Sequence, residues 1–364
     1  MRVKAFNTLP KYSAPPSTAV TFSPSGPVAP IVLTDSSYGF AAEQGAVATD
    51  GTNVWVPLTS ANSITEFNGA TGALIRVLHD DTNLASPAAA VSDGHGNMWV
   101  LNQGVQDNSG GCSTCTASSV TEINGSTGAF EANYPIAACG YDPATVNCLG
   151  ATSLAYVNGS LWVVISGGYF GPGAIRQVNA TRGTIGQTVV PSAGFGQNLQ
   201  IAAAGSDFWV ATGAGCNGNG GSVTQFDGTT GAELQVVGDC TYGMVNPGNI
   251  YSDGTSLYVV GENVDLSNPD SFTKINASTG ALDYTSMTGI GYVMNNSFQS
   301  MAIDGSGNLW SVQLYGGIQL NKTSDGTINR TFGSGDVYGG GMVYAGGRIW
   351  QAGASTNTLT GWAA

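Results

Sequence analysis

Ionisable and nucleophilic side chains are scarce in this sequence, so the places where they gather carry information. His79 heads the run His79-Asp80-Asp81, in which an imidazole beside two carboxylates can serve as a general base or help them ligate a divalent cation. Glu43 and Glu262 are the other carboxylates expected near such a site. The second histidine, His95, lies between Gly94 and Gly96 and reads as a solvated turn residue. Of the six cysteines, Cys112-x-x-Cys115 with Cys139 and Cys148 could form a four-thiolate zinc site. The wide spacing of the second pair is loose for a zinc knuckle, so disulfides are the expected state and no metal is assigned. Cys216 and Cys240 are expected to pair with each other. The remaining four allow three pairings, and the sequence leaves these open.

A second constellation is neutral. Gln44, Gln197, Asn198, Gln200, Asn249, Asn296 and Gln299 recur at comparable points of the chain, with Tyr38, Tyr242, Tyr292 and Tyr338 nearby. Carboxamides pair donor and acceptor with hydroxyls, and aromatic rings cover the apolar faces of sugars, so this set suits a polyhydroxyl ligand. The Gly-rich stretch from Gly333 to Gly341 lacks the following Lys-Ser/Thr of a phosphate loop. Asp50-Gly51, Asp93-Gly94, Asp253-Gly254 and Asp304-Gly305 read as turn chemistry.

The composition narrows the function classes. Of 364 residues, 54 are Gly and only 9% are charged, with a formal net charge of −13. Such a balance lacks the basic footprint of a nucleic-acid binder and disfavours anionic membranes. No apolar run is long enough to insert as a membrane span. A neutral polar surface with six cysteines fits an extracellular or cell-surface location, although no signal peptide is visible in residues 1–25.

The elements that would position these residues come from a repeat. A small-residue strand leads through a tight turn to an aromatic-centred strand. A Val-Thr strand and an Asn-x-x-Thr-Gly turn follow. Ala48 to Val56 with Ser63 to Asn68, then Asp93 to Val100 with Ser119 to Asn124, are its first copies. The aromatic recurs at Trp55, Trp99, Trp162, Trp209, Tyr258, Trp310 and Trp350, at intervals of 40 to 63 residues. Each unit alternates with period two, as half-buried strands do. This predicts an all-β fold: a seven-bladed β-propeller of four-stranded antiparallel blades with strands A to D running outward. The seventh copy stops after its third strand at Ala364, and the unassigned run Val28–Leu33 is expected to supply the missing outer strand. Residues 28–364 then form one propeller domain, and residues 1–27 a Pro-containing extended arm. The A–B and C–D turns are short, whereas the B–C and D–A connections near 102–118, 134–150, 213–221, 238–248, 261–270 and 287–298 are long. All six cysteines fall in the long set, on one face.

These seven copies resemble the NHL and virginiamycin-B-lyase-like group of seven-bladed propellers over roughly residues 28–362. The resemblance implies a lyase with a magnesium site and a histidine base on loops of the late blades. No histidine follows His95 in this chain, so no catalytic residue is carried over. Three readings follow. One is a non-catalytic propeller that binds a glycan, surface polymer or protein through the B–C/D–A face and needs no cofactor. The next is a lyase or hydrolase at the channel mouth, using His79, Asp80, Asp81, Glu43 and Glu262 with a divalent cation. The last is a surface layer or filament assembled through residues 1–25.

Overall fold

The computed structural model describes residues 29–34, 36–40, 45–104, 117–137, 150–166, 173–192, 200–212, 221–238, 242, 244, 247–261, 271–287, 298–313, 317–324, 328–332, 339–353 and 357–364. The arm 1–27 and all six cysteines lie outside them.

Seven four-stranded antiparallel sheets are present. The chain enters through β1 (Ile31–Leu33). Blade one is β2 to β5 (Ala48–Thr49, Asn53–Leu58, Ser63–Asn68, Leu74–His79), and blade two is β6 to β9 (Pro87–Ser92, Asn97–Asn102, Ser118–Asn124, Phe130–Ala137). Blade three is β10 to β13 (Gly150–Val157, Ser160–Ser166, Ala174–Asn179, Thr184–Val189). Blade four is β14 to β17 (Ile201–Ala204, Asp207–Thr212, Ser222–Asp227, Glu233–Val237). Blade five is β18 to β21 (Pro247–Ser252, Ser256–Gly261, Ser271–Asn276, Leu282–Met287). Blade six is β22 to β25 (Phe298–Ile303, Asn308–Gln313, Gly317–Lys322, Ile328–Phe332). In the last blade β26 to β28 (Gly339–Ala345, Arg348–Gly353, Thr358–Ala363) are completed by β1, with Ile31 opposite Gly361 and Leu33 opposite Leu359. The expected closure is therefore present. Pro30 stands just outside the paired strand, where its missing N–H costs no ladder bond. Among the described residues no helix is long and apolar enough to cross a membrane.

The repeated aromatic explains why the blades form a ring. Each sits on strand B and is almost wholly inaccessible. Each packs into a separate apolar cluster with the next blade. Trp55 meets Leu84, Met98 and Ile123, Trp162 meets Phe208 and Phe226, and Trp350 meets Val54 and Phe67 of blade one. The core is thus seven seams rather than one centre.

The buried indole N–H needs a partner in each seam, and two solutions alternate. Trp162 donates to Gly228 O (2.9 Å), Trp209 to Ala277 O (3.0 Å) and Trp350 to Gly69 O (2.7 Å), in each case the C–D turn of the next blade. Trp55, Trp99 and Trp310 instead donate to Asp50, Asp93 and Asp304 of their own A–B turn, and the Tyr258 hydroxyl does the same to Asp253. The other oxygen of each aspartate caps the turn backbone, as Asp50 Oδ1 does for Thr52 and Asn53. These Asp-Gly pairs are turn residues, as expected, and they also hold the core aromatic.

One element differs from expectation. The connection after blade two begins at residue 138, because β9 continues through Tyr134 and Pro135. Tyr134 stacks on Trp99 with ring centroids 5.8 Å apart, and Pro135 is tolerated on this outermost strand.

Candidate functional site

The topology separates the connections by face. A–B links take two to four residues and C–D links four or five, while B–C and D–A links range from three to fifteen. The long set shares the face at which the inner strands begin. Loop variation on a rigid frame is where binding surfaces are usually built.

The roots of these loops are fixed by the Val-Thr signature of strand C. Thr65, Thr121 and Thr273 are fully buried, opposite Val56, Val100 and Val259. Their hydroxyls donate to backbone carbonyls of the connection entering the same blade: Thr65 to Tyr38 O (2.8 Å), Thr121 to Asn83 O and Thr273 to Tyr242 O (3.1 Å). In blade two the Asn102 amide extends the network to Asn83 O (3.0 Å), Ser119 Oγ (3.1 Å) and Thr121 Oγ1 (2.9 Å). These donations hold the base of the face in place, although the buried Asn102 Oδ1 has no partner among the described residues. These threonines were visible in the sequence as a repeat, but strand pairing alone accounted for them there.

The inner strands add a second device at the channel mouth. Five of them carry a register shift near their start, between Pro87/Ala89, Ala151/Ser153, Pro247/Asn249, Phe298/Met301 and Gly339/Met342. Such bulges bend a strand and free its groups from the ladder. At the first, the Ala88 carbonyl accepts from Ala46 N of blade one (2.7 Å). A Cβ on neighbouring Gly45 would lie 2.3 Å from that oxygen, so this approach requires glycine.

Three candidate residues lie near the start of their inner strands at this mouth. Asn249 stands two residues before Tyr251, which pairs with Tyr258, and Gln200 stands two before Ala202, which pairs with Trp209. Gln299 lies within the bulge of blade six. Gln200 and Asn249 are half-buried, and Gln200 O accepts from Ala211 N (3.0 Å). Glu43, Gln44, Gln197, Asn198, Glu262, Tyr292, Asn296 and Tyr338 lie outside the described residues.

The two described tyrosines are not free platforms. Tyr38 sits edge-on to Phe40 (5.6 Å) and Phe67 (5.2 Å), and Tyr242 packs against the seam of blades four and five. The Tyr242 carbonyl is also held by Thr285 (2.9 Å). The His79 group is placed elsewhere again. His79 ends β5, the outermost strand of blade one and three strands from the inner one, so it does not reach the channel mouth. Its Nε2 lies 3.6 Å from Asp81 Oδ1, with both side chains mostly exposed. Asp80 is a turn cap: it accepts from Thr82 N (2.8 Å), Asn83 N (3.0 Å) and Asn83 Nδ2 (2.9 Å). The backbone N–H of Asn83 is the main reason its carboxyl is held below the ordinary range. Asp81 accepts from Asn62 Nδ2 (3.0 Å). Among the described residues no three His, Cys, Asp or Glu side chains converge as metal ligands.

The arrangement defines a seven-bladed β-propeller with a built, loop-rich face. No protein-family model and no curated protein matches the chain. Solved structures resemble it in fold. Virginiamycin B lyase from Staphylococcus aureus is similar with a TM-score of 0.63 and 14% identity, over 92% of this chain and 99% of that one. A chain of the Mitotic Checkpoint Complex is similar at 0.65 and 15%, over 100% and 99%. BamB from Moraxella catarrhalis is similar at 0.50 and 14%, over 88% and 85%. At these identities the likeness is one of fold.

Proposed function

We propose that this chain is a non-catalytic binding module that works outside the cell or at its surface and engages a macromolecular partner through the B–C/D–A face. One observation carries the reading: uniform connections on one face oppose long, irregular ones on the other, whose roots are pinned by Thr65, Thr121 and Thr273. A fixed base under variable loops presents a surface at low ordering cost.

A protein is the favoured partner over a glycan. Tyr38 and Tyr242 are engaged in packing, which removes two of the rings a sugar platform would use. Propellers of similar fold occur in protein assemblies, as the Mitotic Checkpoint Complex does by its name. An NHL-like character of the repeat belongs to the same reading.

Cross-linking followed by mass spectrometry on the partner-bound full-length protein tests this. Contacts should map to the B–C and D–A connections and disappear when 103–117 is replaced by a short turn. His79→Ala should leave binding unchanged. Contacts confined to the A–B and C–D turns would reject the reading, as would substrate turnover lost in His79→Ala.

A further inference from the structure

The opposite face holds a cleft of about 500 Å³ between blades one and two. It is lined by Asp50, Thr52 and Asn53 of one A–B turn, by His95 to Met98 of the next, and by Asn124, Gly125 and Ser126. It contains none of the residues on which the proposed function rests.

Its lining carries several acceptors without donors, and Arg76 already donates to one lining carbonyl, Ser126 O (3.0 Å), at its edge. Asn53 Nδ2 donates inward to Glu66 Oε1 (2.8 Å), and Asn97 Nδ2 does the same to Glu122 Oε1 (3.0 Å). Buried Glu66 and half-buried Glu122 therefore each fix the orientation of an amide and leave its Oδ1 without a donor among the described residues. Gly125 contributes a third acceptor. At the equivalent seams the indole of the preceding blade binds the C–D carbonyl, as Trp350 binds Gly69 O and Trp162 binds Gly228 O. Here Trp55 is diverted to Asp50, and no described residue donates to the Gly125 carbonyl. The Asp50 carboxylate adds formal charge at the same cleft. Glu66 is offset by Arg76 at 2.7 Å, whereas Glu122 faces no cation among the described residues. Met98 lies beneath the cleft, fully buried in the seam.

A site rich in oriented carbonyls and carrying a carboxylate recognises a group that only donates. An ammonium or guanidinium meets that description. We propose that this cleft receives a Lys or Arg side chain of a basic peptide segment. The net charge of −13 would draw such a segment in. Because the cleft is on the other face, this inference stands or falls separately from the proposed function.

The test is an amide-resolved NMR titration of the full-length protein with the N-acetyl methylamides of arginine, lysine, glutamine and glutamate. The two cationic probes should give saturable shifts at Thr52, Asn97 and Gly125, with glutamine weaker by about tenfold or more and glutamate silent. Asp50→Asn keeps an oxygen to cap the turn and should weaken the cationic probes by about tenfold. Ser126→Lys places an ammonium at the rim without touching Asp50 or Trp55, and should abolish the titration. Equal binding of arginine and glutamine overturns the proposal, as does the absence of shifts at these amides or an unchanged titration in Ser126→Lys.

Discussion

The Trp350 indole of the last blade donates to the Gly69 carbonyl of the first at 2.7 Å, so one hydrogen bond between residues far apart in the chain spans the seam where the ring closes. The same seam holds β1 against β28, and Ile31 and Leu33 lie close to Gly72 of blade one. Closure thus rests on a strand, an aromatic and a hydrogen bond together.

Replacing that aromatic separates its roles. Trp350→Phe keeps much of the ring but leaves a buried carbonyl without its donor, at a cost of about 1–3 kcal/mol. Trp310→Phe strips its donor from a nearly inaccessible carboxylate, Asp304, whose Oδ2 keeps only Asn308 Nδ2 (3.0 Å), and should cost more because the lost bond is to a charged group. Urea midpoints of the two variants give the comparison. Equal losses would mean that the choice of indole partner carries no energetic weight.

Removing the closing strand should act on cooperativity. A chain lacking residues 1–34 leaves β28 with an unpaired edge. Its thermal transition is expected to broaden and move down, with concentration-dependent association in light scattering. An unchanged, concentration-independent transition would show that three antiparallel strands suffice for the last blade.

The threonines beneath the loops make a separate prediction. Thr121→Val preserves shape but strips a donor from the half-buried Asn83 O and a partner from the fully buried Asn102 amide. The expected loss is about 1–3 kcal/mol. Hydrogen exchange should accelerate across residues 80–86 and leave blade four untouched. Uniform acceleration would mark a global effect instead.

Two carboxyls should respond to pH in opposite senses. Burial pushes the Asp304 carboxyl up, but donation from Trp310, Asn308 and Ser306 outweighs it and holds the group below its ordinary range. Its stabilising contribution is therefore present above the unfolded carboxyl pKa, near ~4, and is lost as pH falls through the lower folded value. The gap in Tm between wild type and Asp304→Asn should shrink on acidification. Burial, then the charges of Glu131 and Asp93, push Glu122 upward despite the Tyr134 hydrogen bond. That contribution is full below the unfolded pKa and is lost as pH rises through the folded one. Glu122→Gln should therefore gain on wild type as pH rises above the ordinary glutamate range. Parallel Tm curves for either pair would contradict the assigned shift.

What the sequence disclosed followed from periodicity. Seven aromatics at blade spacing, alternating strands and a missing last strand are local signals, and the pairing of Ile31 with Gly361 and the register of Trp55 opposite Ala48 follow them. What it did not disclose depends on which side-chain contacts form in three dimensions. Asp50 and Asp304 are legible as turn residues, yet their hold on Trp55 and Trp310 is a matter of which acceptor lies nearest in three dimensions. His79 looked catalytic because its neighbours are acidic. The topology instead sets it on an outermost strand beside an aspartate already used as a cap. Tyr38 looked available because it precedes an inner strand, and hydrophobic packing draws its ring inward. Gln200 and Asn249 each stand two residues before the partner of their strand-B aromatic, whereas the bulge of blade six sets Gln299 three before Ala302, a local shift that periodicity does not announce.

The antiparallel match of Ile31 with Gly361 sets the polypeptide's entry and exit side by side at the rim of a single blade. A short linker could therefore join them, and new ends could be opened in any A–B turn, yielding circular permutants with the same wheel and a different point of departure.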